Sequence, residues 1–223
     1  MCIRDSPTAQ DHKRLNENDE GPNTGGMGAY SPTPLITKNN LERIIKEIIK
    51  PTIDELLKKN IDYRGVLYFG LMITKSGPKV IEYNCRFGDP ECQTIMPLMN
   101  NDFVVLLQKC ALGKLTGNEI IEMSDKFSGC VVATSKGYPY KYDIGFPINL
   151  GSIDSEDCQI FDSGTSLNSD GKLVTDGGRV LSVVCQGKDF DNVFEKAYKN
   201  LKEISFEGIF YRKDIGHQVR MKP

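Results

Sequence analysis

The run Gly65-Val-Leu-Tyr-Phe-Gly-Leu-Met-Ile73, the breaker-rich Thr74-Lys-Ser-Gly77 and the run Pro78-Lys-Val-Ile-Glu-Tyr-Asn84 leave one economical arrangement, an antiparallel β-hairpin. Side chains alternate along a strand, so Glu82, Asn84 and Arg86 are expected on one side, and Ile81, Tyr83 and Cys85 on the other. One side then carries a carboxylate, an amide and a guanidinium. Glu82 and Asn84 are hard oxygen donors suited to magnesium, which takes a few protein oxygens and completes its shell with phosphate and water. Arg86 can fork onto a carboxylate or phosphate. The set suits phosphoryl transfer, although an edge strand with a solvated polar face shows the same alternation.

Before the hairpin, residues 16–34 hold too many glycines and prolines for a regular element and read as a long structured loop whose glycines allow close backbone approach to an anion. A helix follows, with Leu41, Ile44, Ile45, Ile48, Ile49, Ile53, Leu56 and Leu57 at helical spacing. Asn39 and Glu42 stand as cap and N3 residue, and Pro51 is expected to kink or divide the helix. After the hairpin, Asp89 is expected to cap a helix that has Pro90 at its first position, and Asp102 another that ends at Gly113. That arrangement sets Arg86 between a strand end and a helix N-terminus. From about Thr116 the chain turns to glycine-punctuated strands at 129–134, 159–161, 172–175 and 179–185. A last helix from Asp189 carries Phe190, Val193, Phe194, Ala197, Tyr198 and Leu201 on a face that reads as core, and a short strand is expected near 209–211.

The 223 residues suffice for one large domain or two smaller ones, and the net charge of −2 gives no basic field for nucleic acid or an anionic membrane. The 7 cysteines, without CxxC pairs, read as reduced thiols in a cytoplasmic protein. No apolar run approaches a membrane span or a secretory signal. Residues 1–6, Met-Cys-Ile-Arg-Asp-Ser, lead into a chemically loaded segment without a cap and read as a non-native scar.

Asp11-His12-Lys13-Arg14 alone is weak, since a charged tetrapeptide is usually a solvated turn. Together with Gly21-Pro-Asn-Thr-Gly-Gly-Met-Gly-Ala-Tyr-Ser-Pro32, Ile81-Glu-Tyr-Asn-Cys-Arg-Phe-Gly-Asp-Pro-Glu91, Gly177-Gly-Arg-Val180 and Arg212-Lys-Asp-Ile-Gly216 it resembles, in order and spacing, the phosphoribosylamine–glycine ligase family of ATP-grasp enzymes. The resemblance runs from Pro7 to Gly216. It implies an α+β fold: residues 7–115 as the second part of an ATP-grasp domain, an antiparallel sheet with helices, and 116–223 as a small β-rich C-terminal domain with a packed helix.

It also implies a reaction in de novo purine synthesis that joins 5-phosphoribosylamine and glycine through glycyl phosphate as ATP becomes ADP and phosphate. Glu82 and Asn84 would be the ligands of magnesium or manganese, and Arg86 would be the catalytic contact to the carboxylate or acyl phosphate. Asp11 could receive the glycine ammonium, and His12 or Lys13 could contact phosphate. The loop of Asn23, Thr24, Gly25, Gly26, Met27 and Gly28 would fold over the substrates. No residue is needed as a general base, and His217 reads as surface. Many ATP-grasp enzymes carry a further acidic ligand on the preceding strand, where this chain has Phe69-Gly70-Leu-Met-Ile73. Glu82 then bridges two ions, or a ligand from outside the chain completes the site.

The amino-terminal domain and adenine-clamping segment of that family have no counterpart before Pro7. The chain is expected to be the carboxy-terminal half, inactive when isolated. Two alternatives stand beside this reading: another ATP-grasp ligase, such as one of the biotin carboxylase type, and a non-catalytic binding module.

Overall fold

The computed structural model describes residues 8–154 and 156–221. The suspected scar at 1–6, including Cys2, lies outside the described residues. In chain order the elements are β1 (Gln10–Asp11), β2 (Arg14–Asn16), β3 (Glu20–Asn23), β4 (Gly28–Ser31), α1 (Lys38–Ile44), α2 (Lys50–Lys58), β5 (Tyr68–Thr74) and β6 (Gly77–Asn84), followed by α3 (Glu91–Ile95), α4 (Phe103–Ala111), β7 (Phe127–Thr134), β8 (Cys158–Asp162), β9 (Thr165–Leu167), β10 (Leu173–Thr175), β11 (Arg179–Gly187) and α5 (Phe190–Glu203). The mixture of antiparallel sheets and helices is α+β, as expected. No helix among the described residues is long and apolar enough to cross a membrane.

The chain packs as two compact units that interleave in sequence. The first comprises Thr33–Gly88 and Met99–Ser124 together with Thr8, and the second comprises Ala9–Pro32, Asp89–Leu98 and the chain from Asp125 onward. This differs from a linear division near residue 115. The cause is β4, which pairs with β7 from Gly28↔Val131 to Ser31↔Ser128 and draws the segment before residue 33 into the later sheet.

The second unit is built on a 5-stranded antiparallel sheet ordered β1-β4-β7-β11-β8. Along β7 and β11 alternate residues go to opposite faces. Val131, Ala133, Leu181 and Val183 meet Val193, Phe194, Ala197 and Leu201 of α5, while Cys130, Val132 and Val184 form a second cluster. Gly129 lets α5 approach, since a Cβ there would lie 2.7 Å from Val193 Cγ1. Asp189 caps α5 by accepting from Asn192 N at 2.8 Å. The expected core face of this helix is therefore the observed one, with Asn200 buried as well. The strand expected near 209–211 is reduced to a bridge between Phe210 and Thr134.

One covalent link corrects the all-thiol reading. Cys158 and Cys185 stand directly opposite on β8 and β11, with Cα atoms 4.1 Å apart, and form a disulfide. A separation of 27 residues carried no hint of this register. Cys85, Cys92, Cys110 and Cys130 are free thiols.

In the first unit β5 and β6 form the expected hairpin, with an irregular register at Gly70/Leu71. The helical segment before it is capped by Thr37, whose hydroxyl accepts from Asn40 N at 3.2 Å, and not by Asn39, which lies inside α1. Residues 45–49 take a π-helical turn and Pro51 follows as the second residue of α2, so the helix changes its hydrogen-bond pattern just before the residue that lacks an N–H. Asp102 caps α4 through Val105 N at 3.1 Å, and Gly113 at φ +66° terminates it as expected.

Candidate active-site residues

In the hairpin, Glu82 is exposed and faces Gly70 across the ladder, and Asn84 faces Tyr68. A Cβ at residue 70 would lie 2.8 Å from Glu82 Cγ. Gly70 leaves that space to the Glu82 side chain, and Phe69-Gly70-Leu-Met-Ile73 offers no carboxylate. Tyr83 points the other way, its ring 5.3 Å from Phe69 and its hydroxyl 3.2 Å from Thr52 Oγ1. β6 ends at Asn84, so Arg86 does not share the strand face as alternation suggested. It lies in the bend beyond, with Nη1 donating to Phe87 O at 2.7 Å. Among the described residues there is no group of three or more His, Cys, Asp or Glu able to hold a metal. Glu82 and Asn84 thus offer two hard oxygens at i and i+2, suited to an ion that takes its remaining ligands from phosphate and water.

In the second unit Asp11, His12 and Lys13 run beside the glycine-rich segment. His12 N donates to Gly28 O at 2.9 Å, Met27 N to His12 O at 2.9 Å, and Thr24 N to Lys13 O at 2.7 Å. The segment expected to close as a loop over substrates is instead largely built into the fold. Gly26, Met27 and Gly28 are buried, Thr24 is half-buried, and only Asn23 and Gly25 are exposed. Backbone pairing with 12–13 and with β7 outweighs the breaker composition that suggests a loop.

Asp11 has a side chain only 8% exposed, 2.8 Å from Lys13 Nζ. Burial, reinforced by the charge of Glu91 and only partly offset by Lys13, pushes its carboxyl up to about 7. Glu91, a buried carboxylate at the start of α3, belongs to the Ile81–Glu91 motif, whose pattern points to no role for it. Its only sequence signal was its place directly after Asp89-Pro90. The cis Asp89–Pro90 peptide leads into α3, but Asp89 does not cap it as expected. Pro90 holds the cap position, and Asp89 Oδ1 accepts from Gln93 Nε2 at 3.1 Å and from Arg179 Nη1 at 3.0 Å.

His12 does not offer its ring to an exposed ligand. It is 1% exposed, with Nε2 3.1 Å from Gly216 N and 3.0 Å from Gln218 Oε1. Burial and the nearby Arg212 charge lower its pKa to about 4, so the ring is a neutral core group that holds the Asp11 and Lys13 backbone against the Gly216 turn. That turn is braced by Arg212, fully buried, which donates to Asp214 Oδ1 and Oδ2 at 2.8 Å and to Asp19 Oδ1 at 2.9 Å. His217, read as surface, is in fact half-buried, 3.4 Å from Asp19 Oδ2 and 3.5 Å from Asp214 Oδ2.

Structural relatives place this arrangement in a class. The chain superposes on biotin carboxylase from Campylobacter jejuni with a TM-score of 0.62 at 17% identity, over 88% of this chain and 42% of that one. The shared fold is that of the ATP-grasp proteins. At closer range, the phosphoribosylamine–glycine ligase of Thermotoga maritima superposes with a TM-score of 0.82 at 36% identity, over 94% of this chain and 51% of that one. The ligase of the same name from Caldanaerobacter subterraneus is 50% identical over 93% of this chain and 49% of its own length. The trifunctional purine biosynthetic protein adenosine-3 of Gallus gallus is 48% identical over 98% of this chain and 22% of its own. Sequence models of the ATP-grasp (A) domain and the C domain of phosphoribosylglycinamide synthetase match residues 2–92 and 128–218. The chain belongs to the phosphoribosylglycinamide synthetase family. It spans about half the length of the bacterial relatives it matches.

Proposed function

We propose that this chain supplies the carboxy-terminal half of a ligase that joins 5-phosphoribosylamine and glycine while ATP becomes ADP and phosphate, with glycyl phosphate as intermediate. The observation that carries the reading is Asp11: a buried carboxylate beside Glu91, at the edge of a glycine-built turn, suits an incoming ammonium group. An amine cation would replace the proton that burial favours on Asp11 and share the carboxylate with Lys13. Lys13, half-exposed, neutralises Asp11 and presents its ammonium toward solvent, where a phosphate could meet it. Glu82 and Asn84 would hold magnesium, whose charge would offset that on the nucleotide phosphates. Arg86, freed from its contact with Phe87 O, would fork onto the glycine carboxylate. Amine attack on an acyl phosphate needs positioning more than a base.

In this reading the adenine clamp would come from an amino-terminal half such as the longer relatives carry. Fused behind that half of the Thermotoga maritima ligase, the chain should release ADP only when glycine and phosphoribosylamine are both present. Glu82→Ala should lower that turnover by about 100-fold or more. A folded fusion without substrate-dependent ADP release, or one indifferent to Glu82→Ala, would refute the proposal. The chain alone should release no ADP.

A further inference from the structure

We propose that Arg179 and Tyr138 are positioning residues that set the glycine turn beside Asp11, and that this is what the Gly177-Gly-Arg-Val180 motif is for. The role deepens the reading above and rests on it for its kinetic consequence. Arg179 leaves the start of β11 and is 22% exposed in its side chain. Its Nη1 lies 3.1 Å from Gly25 O, 3.0 Å from Asp89 O and 3.0 Å from Asp89 Oδ1. One guanidinium nitrogen therefore clamps the glycine turn and the corner before Glu91. From the other side, Tyr138 Oη accepts from Gly25 N at 2.8 Å.

Gly25 thus has both backbone polar groups held by side chains from residues more than a hundred positions away in sequence. The neighbouring glycines make this possible. A Cβ on Gly25 would lie 3.0 Å from Tyr138 Oη and 3.2 Å from Arg179 Cζ. A Cβ on Gly178 would run into the Tyr138 ring, so Gly178 is the floor on which that ring rests. Gly26, at φ +121°, has Pro90 on one side, and its Cβ would lie 2.8 Å from Asp11 Oδ1. The chain Arg179–Gly25–Gly26–Asp11 is continuous in space, and the same arginine holds the residue that precedes Pro90. Loosening it would let the turn relax and water reach the Asp11 carboxyl.

Two measurements test this. The first uses the full chain: the Asp11 carboxyl, followed by carbon-detected NMR, should titrate near 7. In Arg179→Met the midpoint should fall toward that of an exposed aspartate, in Tyr138→Phe it should fall less, and Arg179→Lys should lie between parent and Arg179→Met. The second uses the fusion with the Thermotoga maritima amino-terminal half. Arg179→Met should raise the glycine KM by about 10-fold or more with kcat changed by no more than about threefold, leaving the ATP KM near the parent value. Tyr138→Phe removes one oxygen and keeps the ring on Gly178, so it serves if Arg179→Met does not fold. A folded Arg179→Met chain with an unmoved Asp11 midpoint overturns the positioning role, as does a folded Tyr138→Phe chain with unmoved midpoint when Arg179→Met does not fold. A parent fusion that makes no ADP overturns the ligase reading alone, and the titration then decides the positioning role by itself.

Discussion

The two units are built to different standards. In the second, β7 is buried from Ser128 to Thr134, sealed by α5 on one face, and an arginine, a histidine and an aspartate are fitted into the interior at the cost of shifted or fully paired charges. In the first, the main sheet is a 2-stranded hairpin, and Met72, Val80, Ile81 and Tyr83 of that hairpin are exposed, as are Val104, Leu107 and Leu112 in and after α4. Two strands alone bury too little to stand firmly in water. The donors proposed for metal thus ride on the less consolidated unit, and the carboxylate proposed for the amine on the more consolidated one.

Core substitution should show the largest contrast. Phe194→Ala removes a fully buried ring from the α5 interface and should cost about 3–5 kcal/mol by denaturant titration, whereas Ile81→Ser on the open face should change stability by less than about 0.5 kcal/mol. Equal costs would erase the distinction between the units. Next in size is pH. Because Asp11 titrates higher folded than unfolded, its contribution to stability declines as pH rises from about 4 to about 7. Asp11→Asn should therefore raise the melting temperature at pH 8, where the parent must hold a charged carboxylate in the interior, and should flatten the profile between those limits. His12 works in the opposite sense. Its neutral ring favours the fold above 6.5, and that benefit is lost as pH falls toward 4, so His12→Gln should blunt acid destabilisation measured by the same melts. A smaller effect is expected at the first unit's own cap: Thr37→Ala should cost about 1 kcal/mol, read most directly as faster amide exchange of Asn40 and Leu41.

Strict periodicity made much of this legible. Alternation exposed the polar face of β6, glycine-punctuated apolar runs exposed β7 and β11, helical spacing exposed the buried face of α5, and Asp102 with Gly113 bracketed α4. Where composition and pairing disagree, composition misleads. Gly28 to Ser31 look like loop because of their glycine-rich surroundings, yet they form a fully buried strand through a partner about a hundred residues onward. Likewise nothing local tells Asp89 to serve Arg179 and not the helix beside it, or brings Cys158 opposite Cys185. The motif residues themselves could be marked from sequence. What could not be read is which of them face each other, since that follows from sheet order. Arg179 and Glu91 lay in quoted motifs but carried no role, for that reason.

The strand order also has a temporal meaning. β4 and the glycine turn after Thr24 leave the ribosome well before their partners in β7, β11 and the Gly216 turn. Early residues must wait, unpaired, for late ones, and such long-range closure is slow. The corner beside Asp11 would thus take shape only after its distant partners are made, and a nascent chain stalled before Arg179 would carry every residue of the Asp11 segment without the guanidinium that clamps Gly25 to Asp89.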